Sequence, residues 1–203
     1  MHLFMKKATL ILLLLPFLSF NSDSLLNRPM PLLANKTLDG KIIDNNYFKG
    51  HITIVSFMFI GCMPCMNEIG LLNKLNKEYH TDSRLQILCI ARQMKEQMLQ
   101  FNSDSKTMFS QLRKALKVDT ITYSIQPACC NEKSNIDSTG NNVSLKSECN
   151  TISDIYGVDR YPTIFFIDEE GIIRKIYTGG PPAKNDTAYY NKLKIEIDSL
   201  LGH

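Results

Sequence analysis

The chain has 203 residues, 44% of them hydrophobic and 21% charged, with a formal net charge of +3, six cysteines and no tryptophan. This length and apolar share suit one domain with a proper core, and so small a charge gives no reason to invoke nucleic acid or an anionic membrane as a partner. The absence of internal repeats, heptad runs and long low-complexity tracts removes repeat and coiled-coil architectures.

At the N-terminus, Lys6 and Lys7 precede an apolar stretch from Ala8 to Phe20 and the polar segment Asn21 to Ser24. A charged start followed by about 13 apolar residues is the pattern of an export signal, and it is too short to span a bilayer comfortably. Residues 1–22 are expected to direct export to the periplasm or cell envelope, leaving 23–203 as the folded domain with a net charge near +1 on about 180 residues. Phe17 and Phe20 fall where a small residue is preferred at several candidate cuts, so cleavage and retention as a loose N-terminal tether both stay open. The tether would be the one contact with the membrane. No cysteine follows the apolar stretch to accept a lipid.

The folded part opens with an extended leader containing Pro29-Met-Pro31, and Asp39-Gly40 between Leu38 and Ile42-Ile43 is a hairpin turn signal. Ile52 to Ile60 is too uniformly apolar to alternate, so it reads as a central strand covered on both faces. A helix from about Cys62 carries Ile69, Leu72, Leu75 and Tyr79 at helical spacing, and Leu85 to Ala91 is a second buried strand. Residues 93–118 contain helical material, and Ile121, Tyr123 and Ile125 alternate as an edge strand would. From about 126 to 149 the composition turns polar, which marks a loop or insertion. Tyr161-Pro162-Thr163 leads into a strand at Ile164 to Ile167, Asp168 to Gly171 turns into a second strand at Ile172 to Tyr177, and Asp186 caps a last helix with Tyr190, Leu193, Ile197, Leu200 and Leu201 on its apolar face. Strands alternating with helices and ending in a hairpin and a helix predict a three-layer α/β domain with a mixed central sheet.

Within that plan the sequence Gly61-Cys62-Met63-Pro64-Cys65 carries the chemistry. Two cysteines one helical turn apart can close a small disulfide ring, and the unpaired N–H groups and positive dipole end of the helix favour a thiolate on the first. Cys62 is the candidate nucleophile and Cys65 the candidate resolving thiol. Zinc is the weaker reading, because Cys129 and Cys130 are adjacent and His2, His51, His80 and His203 are scattered, so no second ligand pair completes a site.

Three segments together resemble the thioredoxin superfamily, and within it the exported branch related to TlpA and ResA: Leu38 to Lys41 before Gly50-His51, Ser56 to Ile69, and Tyr156 to Asp168. The resemblance covers about Leu33 to Leu201 and implies a thioredoxin-like fold with an N-terminal hairpin extension and a polar insertion before the cis-proline strand. It implies that Cys62 and Cys65 cycle between dithiol and disulfide with no further cofactor and no metal. It also makes Pro162 the cis-proline beside the disulfide, and gives Tyr161, with Met63 and Pro64, a part in substrate binding. Glu68 matches a glutamate of this branch one turn beyond Cys65, and if buried it could take a proton from Cys65 during resolution. Two departures stand out: where thioredoxins proper have a buried acid six residues before the first cysteine this chain has Ser56, and where they have tryptophan it has Gly61. Met58, Met63 and Met66 border the motif, Met58 as core filling and the other two on the surface.

Of the remaining cysteines, Cys89 in Leu85 to Ile90 reads as a small buried hydrophobe. Cys129, Cys130 and Cys149 bracket the polar insertion, and in an oxidising compartment a bond from Cys149 to Cys129 or Cys130 would close a loop of about 20 residues, worth roughly 3 kcal/mol. One of the three stays unpaired. The expected function is therefore an exported thiol-disulfide reductant acting on disulfides of exported proteins such as apocytochrome c, with a membrane thiol carrier as electron donor. Copper delivery through Cys62, Cys65 and a methionine, and a thiol peroxidase, are the alternatives.

Overall fold

The computed structural model describes residues 22–31, 35–127 and 155–202. Residues 1–21 of the expected signal and the cysteines at 129, 130 and 149 lie outside the described residues. Among those described, no helix is long and apolar enough to cross a membrane.

Strand β3 (Ile52–Met58) occupies the middle of a five-stranded sheet, and all seven of its residues are buried. Its apolarity on both faces requires that position, since either face left open would expose Ile52, Ile54, Val55 or Phe57 to water. On one side it pairs in parallel with β4 (Leu85–Ala91), which pairs in parallel with the short edge strand β5 (Ser124–Gln126). On the other side it pairs antiparallel with β6 (Thr163–Ile167), followed by β7 (Ile173–Thr178). Outside this sheet, β1 (Asn35–Lys36) and β2 (Ile42–Ile43) form the hairpin that Asp39-Gly40 signals, and Leu38 N donates to Ile125 O, tying the hairpin to the edge strand.

The period-2 alternation of the strands divides the core. Ile52, Ile54 and Met58 of β3 share a face with Ile87 and Cys89 of β4 and with Ile164 and Phe166 of β6, covered by α2 (Met63–Glu78), α3 (Lys95–Phe101) and α5 (Thr187–Leu201). Val55, Phe57, Leu88, Ile90 and Phe165 point the other way, against Leu25, Met30, Phe48 of α1 (Asn45–Phe48), Tyr156 and Val158. Helix α4 (Met108–Ala115) packs against α3, and its buried Arg113 donates to Phe101 O, Val118 O and Ser103 O. Three layers about a mixed sheet are the architecture that the order of elements predicts.

Two boundaries differ from expectation for local reasons. The central strand stops at Met58 rather than Ile60, because the chain turns at Phe59 to Cys62 with Cys62 N donating to Phe59 O. The edge strand starts at Ser124 rather than Ile121: Ile121 N and Thr122 N donate to the side chains of Asn102 and Asn73, which removes them from any ladder. The last helix begins as expected, with Asp186 Oδ1 accepting from Tyr189 N at 2.8 Å.

Candidate active site

The central strand delivers the motif into a turn that only glycine takes without strain. Gly61 has φ +105°, a region where a Cβ clashes with its own backbone, and this accounts for glycine where a tryptophan stands in thioredoxins proper. Gln93, just past β4, fixes the same turn by accepting from Ile60 N at 3.0 Å. Cys62 is the residue that caps α2 rather than a member of its first turn, and its Sγ accepts from Cys65 N at 3.2 Å. A cap position aims the free N–H groups of the helix at that sulfur, which favours a thiolate there once the pair is reduced. Here Cys62 and Cys65 are joined as a disulfide with Cα atoms 5.2 Å apart.

Around the disulfide the exposure is unequal. Cys62 is 7% exposed, Cys65 1%, and Met63, the first helical residue, 48%. Met66 is buried at 1%, so its expected place on the surface is corrected: it faces Cys65, Ile69 and Met98 in the core, because the apolar stripe of α2 runs through it. Tyr161 lies edge-on to Phe59 with ring centroids 5.3 Å apart, and the Tyr161–Pro162 bond is cis.

A loop that the sequence reading did not single out completes the rim. Gly179 N donates to Pro162 O at 2.8 Å, and Asn67 of α2 donates to Pro181 O and Pro182 O at 3.2 and 3.3 Å. Gly180 is wedged so tightly that a Cβ would stand 2.6 Å from Pro162 Cγ and 3.0 Å from Pro64 O. The run Gly179-Gly-Pro-Pro182 carries the signal of a close backbone approach, yet in sequence it is indistinguishable from a connector between strand and helix.

Behind the disulfide, Glu68 is 1% exposed. Ser56 Oγ donates to Glu68 Oε2 at 2.6 Å, and the Tyr189 hydroxyl donates to Oε1 at 2.5 Å. Burial pushes the Glu68 carboxyl up to about 7, while the hydrogen bonds from Ser56 and Tyr189 restrain the rise. In sequence Ser56 marks only a departure from the thioredoxin pattern, and nothing marks Tyr189, which lies 121 positions away from Glu68. Cys89, beside this group on β4, has a free thiol that burial and the Glu68 charge push far above the ordinary range, so it stays protonated. Among the described residues no group of three or more His, Cys, Asp or Glu side chains is placed to hold a metal ion.

A disulfide at a helix cap, with a buried acid one turn behind it, is an arrangement suited to exchanging thiols for disulfides. Fold and site define a thioredoxin-like thiol-disulfide oxidoreductase. The chain belongs to the AhpC/TSA family, whose model matches residues 26–176. It is similar to the thioredoxin-like protein YneN of Bacillus subtilis, with 27% identity over 149 residues, 73% of this chain and 69% of that protein. In fold it resembles a thiol-disulfide isomerase from Corynebacterium glutamicum, with a TM-score of 0.55 at 17% identity over 87% of this chain and 97% of that one. It resembles equally a protein of Chlorobium tepidum assigned as thiol:disulfide interchange protein DsbE, at TM-score 0.55 and 17% identity, covering 86% and 96%.

Proposed function

We propose that this protein is an exported reductant of disulfides in other exported proteins, of which apocytochrome c is one class, and that a membrane thiol carrier returns it to the dithiol form. The observation that carries the reading is the buried Glu68, because a base held within the core one turn from the resolving cysteine serves the step that expels the substrate.

In the reduced protein the Cys62 thiolate attacks one sulfur of a substrate disulfide. That S–S bond breaks, a Cys62–substrate mixed disulfide forms, and the other substrate sulfur leaves as thiolate. Glu68 then takes the Cys65 proton, and the Cys65 thiolate attacks Cys62 Sγ. The protein disulfide closes, the second substrate sulfur leaves with its electron pair, and the substrate is reduced by two electrons. Glu68 returns its proton to solvent or to the departing thiolate. Met63, Pro64, Tyr161 and cis-Pro162 form the rim that the substrate segment meets, and the apolar character of Met63 and Tyr161 suits apolar flanks beside the target cysteine.

A glutathione redox titration with mixed-disulfide trapping tests this. The reductant reading expects a potential near that of thioredoxin, about −270 mV, and accumulation of substrate adducts on a Cys65→Ala variant. A potential near about −120 mV, that of a strong disulfide donor, would overturn it. Two rivals on the same fold separate cheaply: stoichiometric Cu(I) binding lost in Cys62→Ser would support copper delivery, and rapid peroxide consumption a thiol peroxidase.

A further inference from the structure

Glu68 is held on both oxygens, by Ser56 from β3 at 2.6 Å and by Tyr189 from α5 at 2.5 Å. Each carboxylate oxygen has two lone pairs, so one donor on each fixes the plane of the group and leaves acceptor capacity for a further proton. The titratable groups that feel its charge are Cys89 on β4, Tyr123 in the segment before β5, and Tyr189, and Cys65 precedes it by one turn on its own helix. None of these is a cation. An ionised carboxyl in such surroundings depends on neutral donors, since burial alone would keep it protonated at neutral pH.

Tyr189 is the donor that comes from a separate part of the fold. It sits three residues past the Asp186 cap, whose carboxylate holds its backbone N–H, so the start of α5 fixes where the hydroxyl lies. We infer that Tyr189 is a positioning residue for thiol exchange: its hydroxyl holds Glu68 in the orientation and acidity at which the carboxylate accepts the Cys65 proton. Burial and the Glu68 charge push the phenol far above its ordinary value, so Tyr189 stays a donor throughout. In the resolving step the proton moves from Cys65 Sγ to Glu68, the Cys65–Cys62 bond forms, the Cys62–substrate bond breaks, and Tyr189 neither gains nor loses a proton. This rests on Glu68 being the proton acceptor for Cys65.

The test is a carbon-13 carboxyl titration of Glu68 in the oxidised protein, paired with the pH profile of substrate release from a fluorogenic disulfide peptide in single turnover. Tyr189→Phe should raise the Glu68 midpoint by about one to two pH units. Replacement of Tyr189 by 3-fluorotyrosine, a stronger donor, should lower it, and the release profile should follow in both. Opposite displacements cannot come from a merely structural tyrosine, and the fluorinated residue carries the test if Tyr189→Phe does not fold. Midpoints that stay put, or move the same way in both, would overturn the inference. A Glu68→Gln variant separates the two readings. If it releases substrate at the parent rate, Glu68 is not the acceptor and both fail. If it is slowed while the tyrosine variants leave the midpoint unchanged, only the role of Tyr189 fails.

Discussion

Ser56 Oγ lies 2.6 Å from Glu68 Oε2, both groups buried beneath the disulfide. Ser56 occupies the strand position where thioredoxins proper carry a buried acid, and here a carboxylate reaches that position from the helix instead. The departure in the strand and the glutamate in the helix thus meet in one hydrogen bond, for which the serine supplies the donor.

A buried acid of raised pKa has a signed effect on stability. Glu68 titrates near 7 when folded and near its ordinary 4.5 when unfolded, so below about 4.5 it is protonated in both states and costs nothing. As pH rises through that window toward 7 the unfolded chain loses its proton first, and the contribution is lost through the folded value. By pH 8 the deficit is about 3 kcal/mol. Urea melts of the oxidised protein and Glu68→Gln between pH 4.5 and 8 measure it as a difference, which cancels the opposite pull of Asp39 and Glu78, whose pKa values are lowered. The variant should gain relative stability steadily with pH, by up to that amount, while losing substrate release.

Gly180→Ala should damage stability and exchange together. Its Cβ would enter within 3.0 Å of the Pro162 ring, a rigid neighbour, and stand 3.0 Å from Pro64 O, so the loop, the cis-proline and the motif must separate. Overpacking of this kind costs about 1–3 kcal/mol. A thermal melt and a disulfide-reduction assay check it, and an unchanged rate would show that the loop does not set the rim.

The strands, the α2 and α5 helices and both cysteines were legible because period and spacing are local signals: Ile52 to Met58 has no polar face to show water, and Asp186 caps the helix that it precedes in sequence. The partners of Glu68 were not, since nothing near Ser56 or Tyr189 marks hydrogen bonds made only when α2 packs on β3 and α5 packs on α2. Gly180 was hidden for the same reason: close approach to Pro162 is a property of the folded ring of loops, and the sequence records only small residues and prolines. The edge strand was misplaced because side chains of Asn73 and Asn102, distant in sequence, take backbone N–H groups that alternation assigns to a ladder.

Gly61→Ala isolates backbone strain from crowding. The nearest atom to an added Cβ is 3.9 Å away, so there is room, but φ +105° disfavours any side chain. A loss of about 1–3 kcal/mol is expected from the strain, and a tryptophan at this position should fare no better. Denaturant midpoints of the three proteins decide the point, and equal stability would mean that the turn relaxes to another conformation.

Alkylation of the reduced protein should distinguish the two cysteines before any substrate is known. Cys62 sits at the helix cap with its sulfur toward the free N–H groups and retains some exposure, whereas Cys65 is buried beside Met66 and Ile69 with Glu68 behind it. The cap favours thiolate on Cys62, and burial keeps Cys65 a thiol until its proton is taken. Brief treatment with iodoacetamide at pH 7, read by peptide mass spectrometry, should modify Cys62 at least tenfold faster than Cys65. The ratio should narrow as pH rises and Cys65 ionises in its turn. In Glu68→Gln, which removes the neighbouring negative charge, the narrowing should set in at lower pH while the rate at Cys62 holds. Faster modification of Cys65 than of Cys62 at pH 7 would make Cys65 the nucleophile and reverse the order of attack and resolution.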